Sequence, residues 1–113
     1  MSEAANDWLT TVDIDDLPEG KAVRVEVAGT SVMIVRDTRD SVFAVAARCT
    51  HQGAPLDRGT LDLRHTDPTV TCPAHGSMFS LVDGRVHRGP ATQAVRAFKV
   101  RLRDGKVELR PEG

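Results

Sequence analysis

The chain has 113 residues and a formal net charge of −1, with 15 Lys and Arg against 16 Asp and Glu. A chain of this length forms one small domain and leaves no room for a second catalytic unit. The near-neutral charge disfavours a nucleic-acid binder, which is normally strongly basic. No apolar run approaches the roughly 18 residues that a membrane-spanning helix needs, so no membrane partner is expected. The N-terminal segment MSEAANDW lacks the basic and apolar regions of a signal peptide, so we expect a cytoplasmic protein, monomeric by default.

The N-terminal part of the chain alternates between apolar and polar residues. Val23, Val25 and Val27 are separated by Arg24 and Glu26, which predicts a half-buried strand. The predicted strands cover residues 21–27, 31–36 and 41–47, with turns near Gly29 and over 37–40. Nothing in this part has the periodicity of an amphipathic helix.

The C-terminal part follows the same pattern. Phe98, Val100 and Leu102 alternate with cationic residues, and Asp104-Gly105 is typical of a two-residue hairpin turn. Residues 48–92 are instead rich in Cys, His, Gly and Pro, with short predicted strands at 60–63 and 78–81 and a turn at Asp83-Gly84. The pattern predicts a single all-β domain: an antiparallel sandwich or barrel base (7–47 and 93–110) with a loop-rich insertion (48–92).

Two short segments of this insertion each supply one Cys and one His. They are CTHQGAPL (49–56) and CPAHGSMF (72–79), and 20 residues separate His51 from Cys72. A zinc finger of the Cys₂His₂ type groups its cysteines in one half and its histidines in the other. Here each half holds both kinds of ligand, which suits a two-iron centre with two Cys on one iron and two His on the other. A zinc-stabilised structural or interaction module is the alternative at this point.

The two segments resemble the paired ligand boxes of the Rieske [2Fe–2S] family, above all its soluble ferredoxins. The further residues that share the family pattern are Gly53, Pro55 and Leu56 after the first box, Gly76, Ser77 and Phe79 after the second, the Gly84…Gly89-Pro90-Ala91 segment, and Trp8 with the acidic residues 13–16. The resemblance extends over residues 7–110 and is most specific in 49–91.

This resemblance implies the fold and the site. One [2Fe–2S] cluster would be ligated by Cys49, His51, Cys72 and His75, with Ser77 donating a hydrogen bond to a cluster sulfur. The base would be a Rieske-type antiparallel β-sandwich or barrel, and the loop-rich insertion would be the cluster-binding subdomain.

The resemblance also implies the function. The protein would carry single electrons, without turnover of its own, from an NAD(P)H-dependent flavoprotein reductase to a terminal oxygenase of the aromatic-ring-hydroxylating kind. The alternative with the same fold is the small subunit of an assimilatory nitrite reductase.

The chain departs from the respiratory members of the family. Those carry an extra Cys in each box, which form a disulfide, where this chain has Ala54 and Ala74. They also place a Tyr hydroxyl near a ligand sulfur, where this chain has Phe79. Because hydrogen bonds to sulfur favour the reduced state, we expect a midpoint in the lower half of the Rieske range of roughly −150 to +300 mV. The extra length between the boxes is expected at 63–68, as a loop that protrudes beside the second box.

Several charged residues belong to neither box. We expect His65 and His87 to be exposed to solvent. Arg58, Arg85 and Arg88 are ordinary surface charges by default, but together with His87 they are the candidates for a docking face, since local charge steers partners.

Overall fold

The computed structural model describes residues 8–37 and 41–111, which form three antiparallel sheets. The strands are β1 (Leu9–Asp13), β2 (Ala22–Val27), β3 (Thr30–Arg36), β4 (Val42–Ala46), β5 (Thr60–Asp62), β6 (Thr69–Thr71), β7 (Met78–Ser80), β8 (Val86–Arg88), β9 (Phe98–Arg103) and β10 (Lys106–Pro111). Two short 3₁₀ turns cover Ile14–Asp16 and Leu56–Arg58. The predicted all-β class is confirmed. In the part of the chain that the structure describes, no helix is long and apolar enough to cross a bilayer.

The central sheet, in the order β2-β3-β4, contains the three strands that alternation predicts in the N-terminal part. β2 pairs with β3 from Ala22 opposite Val35 to Val27 opposite Thr30, so the hairpin turn falls at Ala28 and Gly29. Of the turn predicted over 37–40, residues 38–40 lie outside the described ranges.

The terminal sheet, in the order β1-β10-β9, joins the two ends of the described chain. Its hairpin turns at Asp104 and Gly105, whose φ angles of 53° and 77° fit the predicted two-residue turn. Trp8 is half-buried, and the guanidinium carbons of Arg101 and Arg110 lie over its ring, 4.4 Å and 4.9 Å from the centroid. The indole therefore packs against two cations of this sheet.

The four residues Val32–Val35 of β3 are all fully buried because the central sheet is covered on both faces. Side chains alternate along a strand, so neighbours enter different cores. Val32 and Ile34 pack with Val107 and Leu109 of the terminal sheet. Met33 and Val35 pack on the other side, in the core that also contains both cysteines. The central sheet thus forms the floor under the candidate site.

The site sheet, in the order β5-β6-β7-β8, connects the two Cys–His segments. Cys49 lies three residues after β4, and Cys72 follows β6 directly. β6 pairs with both β5 and β7, placing Val70 opposite Leu61 and Phe79. The short strands β5 and β7 lie within the predicted segments 60–63 and 78–81, whereas β6 and β8 are not predicted by the sequence pattern.

The loop 63–68 joins β5 to β6, at the end of β6 opposite Cys72. This position differs from the expected protrusion beside the second box. Asp67 holds the loop down: the hydroxyl of Ser80 donates to its Oδ1 at 2.7 Å, and Nε2 of His87 lies 2.8 Å from its Oδ2. The guanidinium of Arg85 contacts the same Oδ2. The carboxylate thus fastens the loop to β7 and β8.

Replacing Asp67 with Asn is expected to weaken the fold near neutral pH but not in strong acid. The Ser80 hydroxyl, more than His87 and Arg85, holds the pKa of this carboxyl below its ordinary value. The stability contributed by the ionised form is therefore present above the unfolded pKa of about 3.9 and is lost as pH falls through the folded pKa. Because the group is partly exposed, we expect a loss of at most about 1 kcal/mol.

Urea unfolding at several pH values measures this effect, with the exposed Asp15→Asn as the control. The difference between wild type and D67N should shrink toward pH 2. A difference that stays constant over the whole range would show that the charge of Asp67 is not what stabilises the loop.

Candidate metal centre

The two Cys–His loops, 49–54 and 72–77, have the same backbone hydrogen-bond pattern. In each loop the Cys N–H bonds the carbonyl five residues ahead, and the Cys carbonyl accepts from the glycine four residues ahead. The bonds run from Cys49 N to Ala54 O (2.9 Å), Gly53 N to Cys49 O (2.7 Å), Cys72 N to Ser77 O (2.7 Å) and Gly76 N to Cys72 O (3.2 Å). Gly53 and Gly76 have φ angles of 76° and 79°, as this tight reversal requires. The two loops are therefore local copies of one structure.

Within these loops the thiols and the imidazoles have opposite environments. Cys49 and Cys72 are each 3% exposed, are not disulfide-bonded and belong to one hydrophobic core. His51 and His75 are exposed, with ring centroids 5.1 Å apart and ring planes at 88°. The backbone N–H of His51 also donates to Cys49 Sγ at 3.4 Å. The structure thus brings the two predicted histidines together at the surface and places both predicted cysteines in the core beneath the loops.

This donor set fits a two-iron centre. Such a centre takes two protein donors on each iron, and in the Rieske type the pairs are unlike: two thiolates on one iron, two imidazoles on the other. A buried thiol pair and a surface imidazole pair match that asymmetry. Over residues 8–37 and 41–111, no three His, Cys, Asp or Glu side chains surround the position of a single ion.

A third loop, residues 89–93, lies against both Cys–His loops and is called the cover loop here. The Ala91 N–H donates to Ser77 Oγ at 3.0 Å, which ties the cover loop to the second Cys–His loop. The Thr50 hydroxyl donates to the Gln93 carbonyl at 2.6 Å, which ties it to the first. Thr50 is not among the site residues predicted from the sequence. The available clue was a hydroxyl residue placed between two predicted ligands.

Ser77 is fully buried, so its hydroxyl oxygen needs a hydrogen-bond donor and its hydroxyl proton needs an acceptor within the protein. Its oxygen accepts from the cover loop, so its own proton remains available for an acceptor in the site.

The four candidates for a docking face separate into two groups. Arg85 and His87 are bound to Asp67, so they serve to fasten the loop 63–68. Arg58 and Arg88 are exposed and form no ion pair within the described chain. His65 is exposed as expected, with 68% of its side chain accessible.

Comparison with known proteins identifies the family. The model of the Rieske [2Fe–2S] domain matches residues 7–99. The chain belongs to the Rieske [2Fe–2S] domain family. Among curated relatives of this Rieske domain is the ferredoxin component of the naphthalene 1,2-dioxygenase/salicylate 5-hydroxylase systems of a Ralstonia species. It is 28% identical over 105 residues, which are 93% of this chain and 96% of the relative.

Several solved structures are also similar to this Rieske domain. The ferredoxin of carbazole 1,9a-dioxygenase from Nocardioides aromaticivorans IC177 superimposes with a TM-score of 0.86 and 29% identity, covering 95% of this chain and 100% of that one. A ferredoxin solved in complex with its oxygenase in carbazole 1,9a-dioxygenase gives 0.80 at 28% identity, covering 94% and 96%. A nitrite reductase small subunit from Mycobacterium tuberculosis gives 0.81 at 27% identity, covering 91% and 93%.

Proposed function

We propose that this Rieske domain is a ferredoxin that carries single electrons from an NAD(P)H-dependent flavoprotein reductase to a terminal oxygenase of the aromatic-ring-hydroxylating kind. The main observation behind this proposal is the exposed pair of imidazole rings, 5.1 Å apart, above a buried pair of thiols. A mobile carrier needs its redox group within reach of two successive partners, and rings at the surface provide that access. The named relatives from dioxygenase systems support the same assignment.

The site would hold one [2Fe–2S] cluster, with Cys49 and Cys72 on the inner iron and His51 and His75 on the outer iron. When bound, this group supplies reversible one-electron chemistry at a potential raised by the two neutral imidazoles. The protein's own contribution is positional. The core excludes water from the thiols, and the twin loops hold each Cys–His pair in the same geometry.

Ser77 is proposed to donate its hydroxyl proton to a cluster sulfur, because its oxygen already accepts from Ala91. Replacing Ser77 with Ala should then lower the midpoint potential. A hydrogen bond to a charged group is worth about 1.5–3 kcal/mol, and 59 mV corresponds to about 1.4 kcal/mol for one electron. We expect a decrease from several tens of mV to about 100 mV.

Potentiometric titration of Ser77→Ala and Thr50→Val tests this donor role. Both variants remove one hydrogen bond to the cover loop, but only the Ser77 hydroxyl has its proton free for the site. Thr50→Val should leave the midpoint nearly unchanged. Equal decreases in the two variants would assign the effect to loosening of the cover loop.

The proposal also covers the cellular location, oligomeric state and domain organisation of the carrier. We place it in the cytoplasm, where cysteines such as Cys49 and Cys72 are kept from forming disulfides and remain able to bind iron, and as a monomer. The base would be residues 7–47 and 93–110 and the cluster-binding insertion 48–92, within one domain.

The second candidate is the small subunit of an assimilatory nitrite reductase, which the similarity to the Mycobacterium tuberculosis protein favours. A mobile ferredoxin exchanges between partners, whereas a subunit remains bound to its enzyme. Stable, stoichiometric co-purification with a nitrite reductase large subunit would therefore support this candidate over the carrier.

Electron delivery tests the leading proposal directly. Holoprotein purified without oxygen is reduced with dithionite, freed of excess reductant and mixed with an oxidised ring-hydroxylating oxygenase in a stopped-flow spectrometer. We expect oxidation of the ferredoxin matched by reduction of the oxygenase. An intact cluster that reduces no oxygenase of this kind would count against the role as its ferredoxin.

A further inference from the structure

The surface around the two imidazoles has an uneven charge. The segments 48–58, 72–77 and 88–96 comprise the two Cys–His loops, the cover loop and their flanks, and we call their exposed surface the cluster face. Together they contain four arginines and a single acidic residue, Asp57, although the whole chain is slightly acidic. The arginines are Arg48, Arg58, Arg88 and Arg96, and all four are exposed. The cluster face is therefore basic on a chain whose formal charge is −1.

All four arginines flank the loops in sequence; the structure places Arg48 and Arg88 directly beside the loops, whereas Arg96 lines a groove with Leu9 and Pro111 of the terminal sheet. Arg48 directly precedes Cys49, and its backbone bridges to Pro55 at the base of the first Cys–His loop. Arg88 ends β8 just before the cover loop, and its Nε lies 3.4 Å from the carbonyl of Gly76, the residue after His75. The guanidinium of Arg88 thus lies beside the second Cys–His loop.

The acidic residues of the site sheet and its loops lie at the end opposite Cys72 and are paired within the chain. Asp62 pairs with Arg64, and Asp83 pairs with Arg85. Asp67 is held by Arg85 and His87. By contrast, none of the four arginines of the cluster face forms an ion pair in the described part of the chain. Their charge is therefore available to a partner.

Asp57 does not neutralise them. It lines a groove with Lys21, the residue before β2, and its Oδ1 is buried without a hydrogen-bond partner in the described part of the chain, so this oxygen is not presented on the cluster face.

We propose that the cluster face docks an acidic surface of the terminal oxygenase, with Arg88 and Arg48 as the main contacts beside the electron exit. This inference rests on the proposed ferredoxin role and adds to it the charges of the two docking surfaces, basic on the ferredoxin and acidic on the oxygenase. Charges at the rim of an interface act chiefly on the association rate and its dependence on salt. The four arginines accordingly raise the rate of productive encounter and orient the imidazoles toward the acceptor.

Small inorganic oxidants measure the charge at the electron exit without any protein partner. Reduced holoprotein gives one electron to hexacyanoferrate(III), which becomes hexacyanoferrate(II), or to hexaammineruthenium(III), which becomes hexaammineruthenium(II); no covalent bond forms or breaks. The anionic oxidant should react faster at low ionic strength and slow down as salt is added, because salt screens the attraction. The cationic oxidant should show the opposite trend.

Reversing the charge of single arginines shows which part of the surface causes this salt-dependent attraction. Arg88→Glu should slow the reaction with hexacyanoferrate(III) at low salt by about threefold to tenfold, and Arg48→Glu serves as the second variant. The matched control is Arg103→Glu, an equal change of net charge on an exposed residue. Arg103 lies five residues beyond Phe98 along β9, roughly 17 Å from the strand end next to the cover loop. We expect the control to change the rate by less than about twofold.

The same variants are then compared for electron delivery to the oxygenase. Arg88→Glu should again be slower than Arg103→Glu. Equal effects of Arg88→Glu and Arg103→Glu, or a reaction with the anionic oxidant that speeds up as salt is added, would overturn the inference while leaving the ferredoxin role intact. A protein without a reducible iron centre would react with neither oxidant, and that result would refute the ferredoxin role itself.

Discussion

Replacing His75 with Ala is expected to abolish the rhombic Rieske EPR signal of the reduced protein and to leave less than two irons per chain. The variant removes one of the two nitrogen donors proposed for the outer iron, and the neighbouring Ala74 and Gly76 offer no replacement. Because His75 is exposed, its loss opens no cavity in the core. The loss of signal should therefore occur without collapse of the β-structure, as circular dichroism would show.

His65→Ala is the matched control, since it removes an exposed histidine from the loop 63–68. This variant should keep a normal spectrum and full iron content. A normal Rieske signal in His75→Ala would overturn the ligand assignment. Wild-type protein that is colourless and contains zinc in place of iron would instead support a zinc-stabilised structural module.

Replacing Gly84 with Ala is expected to destabilise the fold by about 3–5 kcal/mol, a large share of the stability of a small domain. Gly84 is buried in the turn between β7 and β8, with a φ of 80°. Its carbonyl accepts a hydrogen bond from the Val95 N–H at 2.9 Å, which holds the two backbones together. A Cβ at this position would lie 2.0 Å from the Val95 carbonyl oxygen. Either the turn or the segment after the cover loop must move.

Gly20→Ala separates this clash from the cost of the backbone conformation. Gly20 has the same φ of 80°, but a Cβ there would meet nothing within 4 Å. It should cost only about 1–2 kcal/mol, the penalty for a left-handed residue. Urea unfolding of both variants as holoproteins gives the comparison. Similar losses in the two would show that the close approach to Val95 is not the main cause of the destabilisation.

Much of the base could be predicted from the sequence because its strands are five to seven residues long. Alternation shows the more buried face of β2, the continuous apolar run of β3 indicates a strand covered on both faces, and Asp104-Gly105 adds a local turn preference. The two Cys–His segments could also be predicted as a metal site from the sequence, since ligand type and spacing are local properties. The sequence pattern did not predict β1, whose Leu9 pairs with Leu109 near the other end of the chain.

The amino-acid sequence by itself determined the β class, the strands of the base other than β1, and the four candidate ligands. Only the tertiary structure decided that the thiols are buried while the imidazoles share the surface, that Thr50 reaches Gln93, and that Asp67 captures Arg85 and His87. Each of these features joins segments that are distant along the chain. Their side chains meet only when the sheets have stacked, and no local pattern of residues encodes such a meeting.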